Sequence, residues 1–136
     1  MLKVIIVEDD FMIADCLEEI LVDAGYAVCG IASRVDEAIR MGEEHRPDLA
    51  VIDLRLADGR YGTEVAAALR VRGGLGVLYV TGDAHHPMLV DADGDACMSK
   101  PYSASSIVAA LRIVSERMSK FAVLSKFPAD FRLLRA

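Results

Sequence analysis

Short apolar runs alternate along this chain with stretches in which apolar residues recur every three or four positions. Val4-Ile5-Ile6-Val7 is a β-branched run of the kind that fills a strand covered on both faces. Ile13, Leu17, Ile20, Leu21 and Ala24 follow at helical spacing, and Gly25 supplies a C-terminal cap. Tyr26 to Ala32 reads as a second strand, and Ser33 as the N-cap of a helix that runs to about His45 and is closed by Pro47. Leu49-Ala50-Val51-Ile52 is a third strand, ending at Asp53. Val65, Ala68, Leu69 and Arg72 mark a third helix, which Gly73-Gly74 stops. Val77-Leu78-Tyr79-Val80 is a fourth strand, ending at Thr81-Gly82. Between 83 and 95 the pattern fails: Pro87 interrupts it, and Asp91, Asp93, Gly94 and Asp95 read as loop, leaving room for one or two helical turns around 86–91. Ala96-Cys97-Met98 is a short fifth strand before Lys100-Pro101. Ser103 caps a last helix with Ile107, Leu111, Val114 and Met118 on one face, continuing to about Leu124 before Pro128.

Strands that alternate with helices in this way predict an α/β domain: a doubly wound, five-stranded parallel sheet with right-handed crossovers and helices on both faces. Ligands of such sheets bind at the carboxyl ends of the strands. Residues that follow strands 1, 3, 4 and 5 are therefore expected at one rim. With 136 residues, 54% of them hydrophobic, the chain suits one domain with a sizeable core. Cys16, Cys29 and Cys97 lie far apart with no CxxC, which speaks against a disulfide scaffold or zinc ribbon; their apolar neighbours predict three buried thiols in a reducing compartment. No apolar run approaches the roughly 18 residues of a membrane span. The chain begins Met1-Leu2-Lys3 and runs straight into a strand, so no signal peptide and a cytoplasmic location are expected. The net charge of −6 is uneven: residues 1–111 hold 19 acids against 9 bases, whereas 112–136 hold six bases against two acids. The acidic body opposes direct nucleic-acid binding.

The residues due at the rim are Glu8-Asp9-Asp10, Asp53, Thr81 and Lys100. Three or four carboxylates meeting there repel one another and raise each other's pKa. A hard cation removes that penalty, and an oxygen donor set suits Mg²⁺. The candidate ligands are Glu8, Asp9 and Asp53, with the backbone carbonyl of Arg55. Thr81 offers a hydroxyl and Lys100 one positive charge. A cation, an ammonium and a hydroxyl around one carboxylate suit the equatorial oxygens of a phosphoryl group in transfer.

Val7-Glu8-Asp9-Asp10, Asp53-Leu54-Arg55-Leu56-Ala57-Asp58-Gly59, Thr81-Gly82 and Lys100-Pro101 together resemble the receiver domain of two-component response regulators. The resemblance covers residues 2 to about 119, and leaves 120–136 as an extension of the last helix or a tail. It implies a flavodoxin-like strand order of 2-1-3-4-5. Asp53 matches the phospho-acceptor, Glu8 and Asp9 the acidic pair that holds Mg²⁺, Thr81 the hydroxyl that follows the phosphoryl group, and Lys100 the lysine that pairs with it. Asp10 falls one position beyond the pair and is expected to start the first helix. The Lys100–Pro101 bond is usually cis in this family. The implied donor is the phosphohistidine of a sensor histidine kinase or histidine phosphotransfer protein. The implied chemistry is Mg²⁺-dependent self-phosphorylation and self-dephosphorylation, with no other enzyme activity.

Several positions depart from the family pattern. The aromatic usual three residues before the lysine is replaced by Cys97. Tyr79, two residues before Thr81, is aromatic instead, and with Thr81-Gly82 is similar in part to an atypical subgroup with a Phe-Ala-Thr-Gly motif; a core strand residue is the alternative reading of Tyr79. The segment 82–96 is short for a regular helix. The proline common after the acceptor is missing from the turn 54–60. His85-His86 make a poor metal pair, since neighbouring histidines do not easily share one ion. Phe121, Phe127 and Phe131 in the tail could extend the last helix, pack back on the body or join a homodimer. Two other functions compete. A degenerate receiver would serve as an interaction module without phosphorylation, but its usual mark is loss of the acceptor or the acidic pair. An Mg²⁺-dependent phosphatase typically needs DxD, and Arg55 stands in place of the second carboxylate.

Overall fold

The computed structural model describes residues 1–83, 86–89, 94–119 and 126–134. Five parallel strands, β1 (Lys3–Val7), β2 (Ala27–Ala32), β3 (Leu49–Asp53), β4 (Gly76–Thr81) and β5 (Ala96–Ser99), alternate with α1 (Phe11–Asp23), α2 (Val35–His45), α3 (Gly62–Leu69) and α4 (Ala104–Met118). The order across the sheet is β2-β1-β3-β4-β5, as the resemblance implied, followed by β6 (Phe131–Leu133). β6 runs antiparallel to β5, with Met98 opposite Phe131 and Ala96 opposite Leu133. The five parallel strands stand in the expected order, and β6 adds an antiparallel sixth at the edge that the sequence reading did not include. A three-residue strand is too short to leave a periodic signal, and only its pairing with β5 makes it one.

Alternate residues of the central strands feed two cores. Val4, Ile6, Leu49, Val51, Leu78 and Val80 meet Leu17 and Leu21 of α1 and Ile107, Leu111 and Val114 of α4. On the other face Ile5, Val7, Ile52, Val77 and Tyr79 meet Val35 and Ala38 of α2 and Val65 and Leu69 of α3. The near-continuous apolar runs read in the sequence are therefore strands buried on both faces.

Helix ends follow the chain chemistry with one exception. Asp10 caps α1 by accepting the backbone N–H of Met12 and Ile13, and Ser103 caps α4 by accepting that of Ser106. Gly25, Gly73 and Gly74 take up positive φ where α1 and the 3-10 turn Arg70–Arg72 after α3 end. Ser33, the expected cap of α2, does not cap it. Arg34 occupies the N-cap position without a side-chain bond, and the N–H of Val35 is taken by Asp58, 23 residues away. Between β4 and β5 the described residues contain one 3-10 turn, Pro87–Leu89. The rest of the expected 86–91 turns, and Asp91 and Asp93, lie outside the described residues, as do His85, Phe121 and the continuation of α4 to Leu124. Of the three thiols only Cys97 is buried. Cys29 is partly buried, and Cys16 is exposed because it lies off the α1 face that buries Ala14, Leu17 and Leu21.

Candidate functional site

β1, β3, β4 and β5 end side by side, and each delivers one candidate to the rim. Asp53 closes β3, a strand buried along its whole length, and is itself only 8% exposed. Its register partner on β4 is Val80, one residue before Thr81. Glu8 follows β1 and is buried, while Asp9 beside it is exposed. Lys100 follows β5, and its N–H donates to the carbonyl of Thr81 at 2.8 Å, fixing the ends of β4 and β5 together. The Lys100–Pro101 peptide is cis, in agreement with the resemblance.

The side chains converge. Lys100 Nζ donates to Glu8 Oε1 at 2.8 Å and to Asp53 Oδ2 at 3.1 Å. One carboxylate oxygen each from Glu8, Asp9 and Asp53 lie within 4.8 Å of one another, the only such group of potential metal ligands among the described residues. Burial would pull the Lys100 ammonium down, but hydrogen bonds and charge from Glu8 and Asp53 more than offset it, so its pKa is raised. The lysine is a fixed cation. Although Asp9 is exposed, partial desolvation at the rim and then the neighbouring Glu8 carboxyl raise its pKa from the ordinary value. Three carboxylates and one ammonium leave an excess of negative charge, which a divalent cation would balance, and three clustered oxygens fit a hard ion such as Mg²⁺. Thr81 is buried, and its Oγ1 accepts the N–H of Asp83 at 3.1 Å, leaving the hydroxyl proton free to be donated elsewhere. Arg55 lies two residues beyond Asp53 with an exposed side chain, and its backbone bridges Tyr61.

Comparison with known proteins gives the family. The family model described as "Response regulator receiver domain" matches residues 4–112. The chain belongs to this receiver family. The receiver is 27% identical over 125 residues to the transcriptional regulatory protein PdtaR of Mycobacterium tuberculosis, covering 90% of this chain and 60% of that protein. It is 32% identical over 120 residues to the sensory transduction protein RegX3 of Mycolicibacterium smegmatis, covering 86% of this chain and 52% of the relative. The receiver thus spans only between half and three-fifths of these curated relatives. Among solved structures, the signal receiver domain of a modulated diguanylate cyclase from Desulfovibrio desulfuricans G20 is similar with a TM-score of 0.76 and 26% identity, covering 88% of this chain and 98% of that one. Membership places the receiver among the response regulators of two-component signal transduction.

Two contacts in the segment after Asp53 were not read from this receiver's sequence. A Cβ on Gly62, the first residue of α3, would stand 2.2 Å from the Asp53 carbonyl oxygen and 2.4 Å from the Ile52 side chain, so only glycine lets α3 start against the end of β3. The signal was the second glycine of Asp58-Gly59-Arg60-Tyr61-Gly62, whose close approach depends on a partner distant in space. The second unread contact is that of Asp58, whose carboxylate accepts the N–H groups of Val35 and Arg60. Of the two residues considered as switch elements, Tyr79 is fully buried with Gly94 against its ring, and Cys97 lies opposite it on β5. Among the described residues His86 belongs to no group of potential metal ligands; its ring lies 6.0 Å from that of Tyr61, and its Nδ1 accepts the N–H of Met88. No helix among the described residues is long and apolar enough to cross a membrane.

Proposed function

We propose that this receiver accepts a phosphoryl group on Asp53 from the phosphohistidine of a sensor histidine kinase or phosphotransfer protein, and that the modification switches its protein contacts. The observation that carries this reading is the bridging of Asp53 and Glu8 by Lys100 within the carboxylate cluster. A free Asp53 oxygen attacks phosphorus, the P–N bond to imidazole breaks, and an acyl phosphate forms on Asp53. Lys100, held charged, pairs with a phosphoryl oxygen as the negative charge moves outward. Thr81, with its hydroxyl proton to spare, donates to another. Glu8, Asp9, Asp53 and the Arg55 carbonyl would hold Mg²⁺, which when bound neutralises charge on the phosphoryl oxygens. Hydrolysis of the acyl phosphate at the same residues resets the switch.

The donor needs a docking surface, and exposed apolar side chains flank the rim. Phe11 and Met12, at the start of α1, are 77% and 83% exposed. Beside them a cavity of about 460 Å³ is lined by Ile13, Cys16, Ile20, Pro101 and Tyr102, and reaches Lys100. A partner's helices packed there would bring an imidazole to Asp53. A homodimer through the tail is a further part of this reading. Residues 126–134 fold back on their own sheet, so the outer edge of β6 and the half-exposed Phe127 would be its contacts. The reading carries with it the cytoplasmic location expected from the sequence.

Acetyl phosphate with Mg²⁺ should add one phosphoryl group to the wild type and none to Asp53→Ala, as read by intact mass. A gain that persists in the variant removes the acceptor assignment. No gain in either favours use as an unphosphorylated interaction module.

A further inference from the structure

We propose that Asp58 is a positioning residue of the rim: by pinning the loop after Asp53 to the start of α2, it preorganises the carboxylate site for a divalent cation. This rests on the reading above. The first N–H groups of a helix have no partner within it, and the residue before the helix ordinarily supplies one. Arg34 supplies none. Asp58 Oδ2 instead accepts the Val35 N–H at 3.0 Å, and its Oδ1 accepts the Arg60 N–H at 3.1 Å. One carboxylate thus joins two segments far apart in the chain.

What it joins matters for the site. The loop is tightly folded: the Leu56 N–H donates to the Arg60 carbonyl, the Gly59 N–H to that of Leu56, and the Gly62 N–H to that of Leu54. Leu54 and Leu56 are buried in the core, so the strip between them, which includes Arg55, has little freedom of its own. On the other side, the N–H of Glu8 donates to the carbonyl of Ala32, the last residue of β2, three residues before Val35. The backbone therefore closes a ring from Glu8 through Ala32 and Val35 to Asp58 and back to Asp53. Within that ring Asp58 is the side chain that bonds directly to backbone N–H groups of both segments. Strand pairing and Lys100 hold Glu8 and Asp53 together at the strand ends, and Asp58 adds a restraint on the loop beyond them, where Arg55 lies.

The Arg60–Asp36 ion pair spans the same two segments, but at the surface. The Arg60 guanidinium forks to Asp36 and Glu64 at 2.9 Å each, but all three side chains are well exposed. Exposed pairs of this kind contribute little, and they provide a control.

The test is titration calorimetry of the full chain with magnesium chloride, alongside thermal unfolding without it. Asp58→Ala should weaken Mg²⁺ binding about tenfold, the usual scale for groups that orient metal ligands. Val35→Pro removes the donor from the other side with no change of charge; proline suits the first helical position, and Arg34 already has the extended backbone it requires. It should weaken Mg²⁺ to a similar degree; Val35 is fully buried, so the melting point falls as well, and the affinity is read on the folded protein. Asp36→Ala should leave the affinity at the wild-type value. If Asp58→Ala does not fold, Val35→Pro decides. Unaltered Mg²⁺ affinity in the folded variants, even with a lowered melting point, overturns the positioning role and leaves Asp58 a stability residue. Absence of Mg²⁺ binding by the wild type overturns the phospho-acceptor reading and this inference with it.

Discussion

Gly62 leaves no room for even one methyl group between α3 and the end of β3. The atom in the way is the backbone oxygen of Asp53, which cannot turn aside as a flexible side chain could. Gly62→Ala should therefore cost about 1–3 kcal/mol, the range for overpacked sites, seen as a lower urea midpoint. It should also slow phosphorylation by acetyl phosphate in the folded fraction, since relief of the clash must move Asp53. Asp9 allows a prediction about pH. Its folded carboxyl holds a proton more tightly than the unfolded one, because burial and Glu8 disfavour its charge. Without divalent cation, this group stabilises the fold in acid, and the contribution is lost as pH rises through the folded value. Added Mg²⁺ needs the ionised form, so it should raise the melting point more at neutral pH than in mild acid. Asp9→Asn should raise the metal-free melting point slightly at neutral pH, the effect being small because the side chain is exposed and screened by solvent. It should also abolish the Mg²⁺-dependent rise.

Among the elements, the strands were legible because burial on both faces writes an unbroken apolar run, and their order along the chain placed the acids, Thr81 and Lys100 at consecutive strand ends. Asp10 and Ser103 were legible as caps because each acts within its own turn. Ser33 failed for the opposite reason: the oxygen that caps α2 comes from another loop, and nothing local marks it. Gly62 and Asp58 were hidden in the same way, since each acts through a partner brought near only by folding. β6 is the largest addition. Phe131, 8% exposed, reaches the core under α4, and Phe127 meets its ring edge-on with centroids 5.0 Å apart. Phe131→Ala should lower stability by about 3 kcal/mol, the lower end for a buried phenylalanine, in urea unfolding. Phe127→Ala removes only an aromatic pair and some exposed surface, and should cost no more than about 1 kcal/mol.

At the scale of the whole molecule, a rigid sheet holds an acidic rim at one end while the far half of one face is closed in an unusual way. Where β4 and β5 lack a regular covering helix among the described residues, Leu89 of the 3-10 turn and Leu134 just beyond β6 pack on the core around Tyr79. The tail is tied in close to the rim: the Ser99 N–H donates to the Asp130 carbonyl, one residue from Lys100. Family membership and strand order could be read from the sequence, but this closure could not, because the apolar residues that provide it are scattered over short segments without a period.

Tyr79 has Gly94 pressed against its ring and no exposed surface. A phenol with no exposed surface can turn outward only if the Gly94 backbone beside it moves first. The phosphorylation proposed at Asp53 would then have to reach the surface by moving backbone, beside the ends of β4 and β5 that the Lys100 N–H and the Thr81 carbonyl hold together.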